Sequence, residues 1–284
     1  MSRLAEQLAS GQFVVTAEVA PPKGIDLTPV LAVAERLQGV TAVNVTDNQG
    51  ANMRLCALVL AGELQRRGIE PVLQVTCRDR NRVALQSDLL GAAALGIENL
   101  LILSGDHSKF GDHPDARPVF DLDSVQLLDV VAGLASGVDM AGRPLAGVPR
   151  FFPGAAVNPA AEPFDLVLQK VRKKVESGAR FLQTQAIFTR GEMERLMAAA
   201  TPLGVPVLAG ILLVRSAKMA GFLNANIPGM RVPDEVVARL EQAADPLNEG
   251  VAIARETVGW ARDLCQGVHL MTLGHEERIA EILA

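Results

Sequence analysis

The chain has 284 residues, 49% of them apolar, and its 27 basic and 32 acidic side chains give a net charge of −5. This apolar content is too high for a disordered chain and is ample for a large core. This acidic balance does not indicate a general affinity for nucleic acids or anionic membranes. We find no signal peptide and no apolar run of the roughly 18 residues that a transmembrane helix needs, so we expect a cytoplasmic protein.

Strand-like runs alternate with helical patterns along the whole chain, which favours a parallel sheet with helical crossovers. Eight such units predict a closed (β/α)8 barrel of the TIM type, with residues 1–284 forming a single catalytic domain. An open, doubly wound sheet is the alternative, although the chain has neither a G-x-G-x-x-G fingerprint nor a Walker loop. In chain order, the predicted strands cover 13–22, 42–46, 71–76, 99–104, about 145–152, 181–184, 206–213 and 268–273, and the predicted helices cover 27–39, about 52–67, about 81–95, 124–135, 164–177, 191–200, about 216–223, 233–244, 250–266 and 276–283.

Five of the predicted strands end in polar side chains that strand packing does not require. These residues are Glu18, Thr46, Thr76, Asp106 and Gln185. In a (β/α)8 barrel, the C-terminal ends of the strands form the mouth at which catalytic groups are assembled. The pattern therefore predicts one converging site and indicates an enzyme.

Two carboxylates are the first candidates for chemistry. Glu18 stands in an apolar strand before the stiff Pro21-Pro22 pair, where burial would favour its protonated form and suit a general acid. A buried Glu paired with a basic residue is the alternative. Asp106 follows Gly105, which permits close approach of the backbone to a ligand, but an Asp that caps the following loop is also common.

Amide and basic side chains provide further candidates. Gln183 and Gln185 are expected on one face of their strand, where amides can recognise the edge of a heterocycle or bond to each other in the core. The polar turn at 46–52 could cradle a ligand, although an ordinary turn and cap is favoured. The basic helix at 170–177 indicates either a solvated face or a nearby phosphate.

A metal centre is not expected. The three cysteines, Cys56, Cys77 and Cys265, show no paired spacing, and the four histidines are scattered. Zinc sites usually carry their ligands at short, regular spacings. Cys77 lies at a strand end and could be reactive, but a buried, inert thiol is the favoured interpretation.

From about Phe13 to the C-terminus, the sequence resembles the methylenetetrahydrofolate reductase family. The resemblance is carried by TAEVAPP, NVTDNQGAN, VLQVTC, LSGD, VRKKVESGARFLQTQAIF, GFLNANIPGMRVPDEVVARL and GVHLMTL. Each motif alone is weak, whereas their order and spacing are specific. The resemblance implies a (β/α)8 flavoprotein of one-carbon metabolism and methionine biosynthesis, in which reduced flavin gives a hydride to 5,10-methylenetetrahydrofolate and yields 5-methyltetrahydrofolate.

The resemblance also implies roles for individual residues. Glu18 would be the general acid that protonates N10 of the folate and opens the imidazolidine ring. Asp106 would lie near the flavin and the pterin, where its charge favours the N5 iminium, and Gln185 would bond to the pterin edge. Glu18 and Asp106 would thus also bind the substrate. The flavin, FAD or alternatively FMN, would be held by Thr46, Gln74, Ser104, Gly105, Asp106, Asn158, Lys173 and Lys174.

Three positions depart from the family pattern. Gln74 replaces the usual His before L-T-C, Ser104 replaces the Arg of R-G-D, and Ala217 stands where the Phe that sandwiches the pyridine nucleotide is expected. These changes leave the hydride-transfer groups intact but leave NAD(P)H open as the direct electron donor. The alternatives are a flavin-free reductase of the same fold, or a subunit that receives electrons through a partner protein. We also expect a homo-oligomer.

Overall fold

Eight parallel strands close into a barrel in the computed structural model, which describes residues 1–37, 39–227 and 229–284. The strands are β1 (Val14–Val19), β2 (Ala42–Val45), β3 (Pro71–Thr76), β4 (Asn99–Leu103), β5 (Phe152–Val157), β6 (Phe181–Ala186), β7 (Val207–Leu212) and β8 (Gly267–Met271). The helices are α1 (Arg3–Ala9), α2 (Thr28–Glu35), α3 (Ala57–Arg66), α4 (Arg82–Ala94), α5 (Ser124–Ala135), α6 (Phe164–Glu176), α7 (Arg190–Ala200), α8 (Ala217–Asn226), α9 (Asp234–Gln242), α10 (Pro246–Leu264) and α11 (Ile279–Leu283).

Closure of the barrel is shown by β1, which pairs in parallel with β2 on one side and with β8 on the other. The predicted (β/α)8 barrel is therefore confirmed, and the open sheet is excluded. Closure brings the two ends of the chain together, because Thr16 of β1 aligns with His269 of β8. It also gathers the C-terminal ends of all eight strands at one mouth.

The strands bury apolar residues on both faces, as expected for parallel strands covered by helices. The outer face packs against the surrounding helices in the main core, which includes Val15, Ala17 and Val19 of β1. The inner face contributes Val14, Ala42, Val72, Leu101, Phe181 and Leu208 to a separate cluster at the N-terminal end of the barrel, which Leu4 and Leu8 of α1 complete. Since side chains alternate along a strand, the positions two and four residues beyond these strand residues face the barrel interior near the mouth, except where the register shift interrupts β6.

The fifth strand was predicted near 145–152, but it begins at Phe152 and ends at Val157. Pro153 and Gly154 are both residue types that strands disfavour, so the local sequence does not indicate a strand here. Pro153 is tolerated because it lies at the start of the strand, where its carbonyl still accepts from Arg180 N at 2.7 Å. Gly154 is required by the neighbouring strand, since a Cβ there would lie 2.2 Å from Cζ of Phe181.

The N-terminal helix α1 was not predicted. Its Leu4 and Leu8 join the inner apolar cluster, so the helix covers the N-terminal end of the barrel. Ser2 caps the helix and also donates to Oδ1 of Asn99 at 2.6 Å. A helix of seven residues is too short to show a clear period, and tertiary packing rather than propensity stabilises it.

Other boundaries differ by a few residues. The helix predicted from about 52 begins at Ala57, because a 3-10 turn at Gln49–Ala51 and an irregular segment come first. The helix predicted to reach residue 39 ends at Glu35, and Gln38 in its predicted range lies outside the described residues. Pro228, in the motif GFLNANIPGMRVPDEVVARL that supports the resemblance, also lies outside the described residues. Across the described parts of the chain, no helix is sufficiently long and apolar to span a membrane.

Candidate functional site

Glu18 lies near the C-terminal end of β1 with its carboxyl group inside the barrel mouth. It is 8% exposed. Gln49 Nε2 donates to Oε1 at 3.2 Å, and His269 Nε2 lies 3.6 Å from Oε2. Neither neighbour is a Lys or Arg, so the simple alternative of a buried Glu paired with a permanent cation does not describe this carboxyl group.

Several buried polar atoms around Glu18 lack a hydrogen-bond partner within the described residues. These atoms are Asn44 Oδ1, Thr46 Oγ1 and His269 Nε2. Asn44 and Thr46 occupy interior positions of β2 and its extension, and Asn44 Nδ2 donates to Gln183 Oε1 at 3.0 Å. Buried polar atoms normally have partners, so a cluster of unpaired ones at a barrel mouth is typical of a ligand site.

The ends of β2 and β3 are tied together by Asp47. One of its oxygens, Oδ2, accepts from the backbone N and the hydroxyl of Thr76, both at 2.9 Å, and also from Arg80. Asp47 and Thr76 are both buried. The polar turn that begins at Thr46 is therefore partly structural, as the ordinary-turn interpretation proposed, while Thr46 itself faces the site.

The end of β4 approaches β3 closely at Gly105. Its φ is +88°, and an added Cβ would lie 3.1 Å from Cβ of both Thr76 and Arg78. Only glycine fits this backbone and this spacing without strain. The turn carries Asp106 to the rim, where its carbonyl accepts from Arg78 NH1 at 3.2 Å and its side chain is exposed.

Ser104 is exposed at the same strand end, and its hydroxyl donates to Ser124 Oγ at 3.3 Å. Ser124 begins α5, whose N-terminus is closed by a capping box of Asp123 and Gln126. Ser104, which stands where the resemblance leads us to expect an Arg, thus directs a short hydroxyl group toward the N-terminus of α5. Gln74, the other departure on this side, is 9% exposed at an interior position of β3.

A β-bulge separates Gln183 from Gln185. The register of β6 with β7 shifts between Gln183 and Ala186. Thr184 stabilises the bulge, since its hydroxyl donates to Gln185 O at 2.7 Å and accepts from Gly210 N at 2.8 Å. The bulge interrupts the alternation from which we expected both amides on one face: Gln183 is buried and bonded to Asn44, whereas Gln185 is exposed at the rim.

The two lysines of α6 have different surroundings. Lys173 is exposed, whereas Lys174 is half-buried and donates to the carbonyl of Ala156 at 2.6 Å. Burial, together with the nearby charge of Lys170, lowers the pKa of Lys174 from 10.5 to about 8. Burial likewise raises the pKa of the Cys77 thiol to about 12, which agrees with the interpretation of Cys77 as an inert core thiol.

The remaining residues singled out in the sequence, Asn158 and Ala217, follow β5 and β7 respectively. Asn158 follows β5, and its side chain is engaged locally: Nδ2 donates to Gly229 O at 2.9 Å and Oδ1 accepts from Ala160 N at 3.1 Å. Ala217 begins α8 and is half-buried. A nucleotide-stacking aromatic ring is therefore not supplied at position 217.

Two cavities occur away from the mouth. One of about 280 Å³ lies beside α5 and is lined by Arg82, Asp129 and Asp139 among others, and one of about 240 Å³ lies at the N-terminal end beside Glu70 and Glu98. Neither includes Glu18, Asp106 or Gln185, and we assign the chemistry to the mouth because the unpaired buried polar atoms lie there. In the described ranges, no group of three or more His, Cys, Asp or Glu side chains is arranged to hold a metal ion.

Sequence reasoning missed His269 and Asn44. Both occupy interior positions of strands, at 1% and 0% exposure. A signal for His269 existed, because a lone His in the apolar run of the eighth strand must face either the helices or the barrel interior. Its contact with β1 could be deduced only after assuming that the barrel closes.

The family model described as methylenetetrahydrofolate reductase matches residues 3–284, almost the whole described barrel. The chain belongs to the methylenetetrahydrofolate reductase family. The match includes α1, so it begins earlier than the resemblance found from about Phe13.

Relatives with this name are distant in sequence. A protein from Caenorhabditis elegans named probable methylenetetrahydrofolate reductase (NADPH) is 22% identical, with 99% of this chain and 43% of the relative aligned. A rice protein named probable methylenetetrahydrofolate reductase (NADH) is 25% identical, with 100% and 50% aligned. The chain thus spans about half the length of these two relatives. The 5,10-methylenetetrahydrofolate reductase of Pectobacterium carotovorum is 25% identical over 94% of this chain and 88% of its own length.

Solved structures of similar shape support the fold alone. Oxaloacetate acetylhydrolase superposes with a TM-score of 0.58 at 11% identity, covering 98% of this chain and 82% of its own. EDTA monooxygenase from Chelativorans sp. BNC1 superposes with a TM-score of 0.55 at 11% identity, covering 95% and 92%. At such identity the shared feature is the barrel, on which unrelated chemistries are built at the mouth.

Proposed function

We propose that this protein reduces 5,10-methylenetetrahydrofolate to 5-methyltetrahydrofolate at the barrel mouth, with a bound flavin as the hydride donor. The observation that carries the proposal is the buried carboxyl group of Glu18, set among unpaired polar atoms inside the mouth of a chain that belongs to this family. Such a carboxyl group can deliver a proton in a site from which water is largely excluded.

In the proposed reaction, Glu18 donates its proton to N10 of the folate, and the electron pair of the O–H bond stays on the carboxylate. The bond between N10 and the methylene carbon then breaks, which leaves an iminium at N5. The exposed carboxylate of Asp106 at the rim stabilises this cation by its negative charge. Gln185, also exposed at the rim, bonds to the pterin edge. Both roles are proposals that rest on position and on the family.

The residues at the mouth fit a flavin in three respects. Thr46 Oγ1 is buried without a partner among the described residues, and Gln74 lies beside it on the next strand. Gly105 lets the end of β4 lie close to Thr76 and Arg78 of the neighbouring strand end. Its backbone carries no side chain and can therefore also approach a ligand closely. Lys174 is a cation held at an energetic cost by burial, and an anionic phosphate would relieve that cost.

When bound, the flavin would supply the hydride that reduces the iminium carbon to a methyl group. Ser104, Gly105 and Asp106 would contact it from the end of β4, and the exposed Lys173 would add positive charge. Asn158 can contribute only by exchanging its present bonds to Gly229 and Ala160. This set does not distinguish FAD from FMN, since none of its residues is assigned to an adenine.

The deciding experiment uses the purified protein loaded with FAD or FMN under anaerobic conditions. The flavin is reduced with dithionite, and methylenetetrahydrofolate is then added while flavin absorbance is followed. We expect reoxidation of the flavin with formation of one methyltetrahydrofolate per flavin. A bound, reduced flavin that the folate leaves unchanged would contradict the proposal.

The role of Glu18 is tested by Glu18→Gln, which keeps the shape of the side chain but removes the acidic proton of the carboxyl group. We expect normal flavin binding and a loss of at least about 100-fold in the rate of reoxidation, within the usual contribution of a general acid. Glu194→Gln on the exposed face of α7 is the matched control and should react at the normal rate. A normal rate for Glu18→Gln would refute the assignment of the acid.

Ser104, Gln74 and Ala217 favour a second candidate, a reductase of the same fold that works without flavin. A colourless preparation that oxidises NADH in the presence of methylenetetrahydrofolate would establish it. A yellow protein that reacts with reduced flavin but not with NADH would instead indicate electron delivery by a partner protein. Full activity of the isolated chain with NADH would exclude that requirement.

A further inference from the structure

His269 is buried at the centre of the barrel, directly beside the carboxyl group of Glu18. The side chain is 1% exposed. Nδ1 lies 2.9 Å from Thr16 Oγ1, and Nε2 lies 3.6 Å from Glu18 Oε2 with no hydrogen-bond partner among the described residues. A histidine that served packing alone would be expected to have both nitrogens satisfied in the core, and this one has a free nitrogen facing the proposed acid.

The direction of the hydrogen bond between Thr16 and His269 is linked to the ring nitrogen of His269 that carries the proton. The Thr16 hydroxyl can donate to His269 Nδ1 at 2.9 Å or to the carbonyl of Val268 at 3.4 Å. When it donates to Nδ1, the imidazole hydrogen lies on Nε2, and this is the tautomer that the proposal below requires. The Nε2–H group then lies on the side of Glu18 Oε2.

The two oxygens of Glu18 would then each face an N–H donor. Gln49 Nε2 donates to Oε1, and His269 Nε2 faces Oε2. Donors on both oxygens stabilise a carboxylate more than a carboxylic acid. Their effect is therefore greatest after the proton has left Glu18, which is the direction of proton transfer in the proposed reaction.

We propose that His269, oriented by Thr16, is a positioning residue that aims the carboxyl group of Glu18 and holds the negative charge that develops on Oε2 as Glu18 gives up its proton. The inference rests on the proposed function for its catalytic consequence. The separation of 3.6 Å is longer than a hydrogen bond, so the contact is expected to shorten as charge develops.

The geometry can be tested without any reaction. The chain contains four histidines, and His107, His113 and His275 are all more exposed than His269, so the protein labelled with ¹⁵N-histidine should give one resolved buried imidazole. We expect its Nε2 to be protonated and its Nδ1 to be unprotonated. Thr16→Val should weaken this preference, and Glu18→Gln should shift the Nε2 resonance. A protonated Nδ1 in the native protein would overturn the proposal, and so would an Nε2 resonance that does not shift in Glu18→Gln.

Kinetics of the flavin-loaded protein test the consequence. His269→Gln retains an amide N–H near the position of Nε2, whereas His269→Asn places it nearer Nδ1. We expect His269→Asn to lower kcat about 10- to 100-fold with little change in KM, the loss of one hydrogen bond to a charged group, and His269→Gln to recover part of that loss. His113→Asn, at an exposed position, is the control.

A double variant separates positioning from a general structural role. In the Glu18→Gln background, His269→Asn should cause no further loss, because there is no longer a proton to deliver. An equal, additive loss in that background would overturn the proposal, as would equal rates for the Asn and Gln variants. If the native protein does not reduce methylenetetrahydrofolate at all, the proposed function fails, while the ¹⁵N measurement still decides whether His269 and Glu18 interact.

Discussion

The ring of Phe181 on β6 occupies the space that a side chain at Gly154 on β5 would fill. The two residues are register partners, and a Cβ at position 154 would lie 2.2 to 2.5 Å from three atoms of the ring. Phe181 is 1% exposed and stacks on Phe152, with ring centroids 5.4 Å apart. The glycine therefore allows one large aromatic ring to fill the lower part of the barrel.

Gly154→Ala should destabilise the protein because the new Cβ would overlap with the ring of Phe181, and this buried ring would have to shift. We expect a loss of about 1–3 kcal/mol in the free energy of unfolding, the usual cost of overpacking a core. Urea unfolding followed by the fluorescence of Trp260, the single tryptophan, would measure it. Gly259→Ala on the exposed side of α10 has open space around the new Cβ and should be neutral or stabilising. Equal effects of the two changes would show that the close contact is absent.

Gly154 and Phe181 also show which parts of the fold could be predicted from the sequence and which could not. Seven strands were placed within a few residues, since each is an apolar run bounded by turn residues and followed by a helical pattern. The fifth was misplaced because Pro153 and Gly154 break local strand preference, and the reasons for both are tertiary: one starts the strand, and the other makes room for Phe181. The helix α1 was missed for a similar reason, as its stability comes from the inner cluster.

Gly105→Ala should destabilise the turn at the mouth through both its backbone and its packing. The φ of +88° strains any L side chain, and the new Cβ would press on Thr76 and Arg78 at 3.1 Å. Gly147→Ala is a matched control, since its φ is +98° but nothing lies within 4 Å of the added Cβ. We expect Gly105→Ala to cost about 1 kcal/mol more than the control in chemical unfolding. If Gly147→Ala costs as much as Gly105→Ala, the loss at Gly105 comes from backbone strain alone and the contacts with Thr76 and Arg78 contribute nothing.

Asp47→Asn should weaken the connection between β2 and β3. The buried carboxylate accepts two bonds from Thr76 and pairs with Arg80, and an amide cannot replace all of these interactions. We expect a loss of about 2–4 kcal/mol in the free energy of unfolding, because Arg80 would keep its bonds to Asp88 and to the carbonyl of Thr76 but lose its buried carboxylate partner. Asp121→Asn removes the exposed pair with Arg82 and should change stability little. Similar unfolding midpoints for the two variants would contradict the structural role of Asp47.

Lys174 should make stability depend on pH in the alkaline range. The folded protein holds its pKa at about 8, below the ordinary 10.5, so between these values the unfolded chain binds more protons than the folded one. The free energy of unfolding of the flavin-free protein should therefore rise as pH increases from about 8 to 10.5, by roughly 2–3 kcal/mol from this group. Lys174→Met should lose this rise, whereas Lys173→Met, at the exposed neighbour, should keep it. Parallel stability profiles for the two variants would show that Lys174 is not held at a cost.

The site was predicted less completely than the fold. Residues at strand ends could be collected, because parallel strands in a barrel present their C-terminal ends to one mouth. The position of Gln185 could not be deduced, since the bulge at Thr184 breaks the alternation that the sequence suggests. The Thr16–His269 contact joins residues 253 positions apart, and only closure of the barrel brings them together.

The placement of α1 has a consequence for how the chain is made. Leu4 and Leu8 share their cluster with Leu208 of β7, so α1 can complete its contacts only after β7 has been translated. Until then, Leu4 and Leu8 lack part of the apolar surface that covers them in the folded protein. Protection of α1 in a pulse-labelled nascent chain would thus report when β7 has joined the inner cluster.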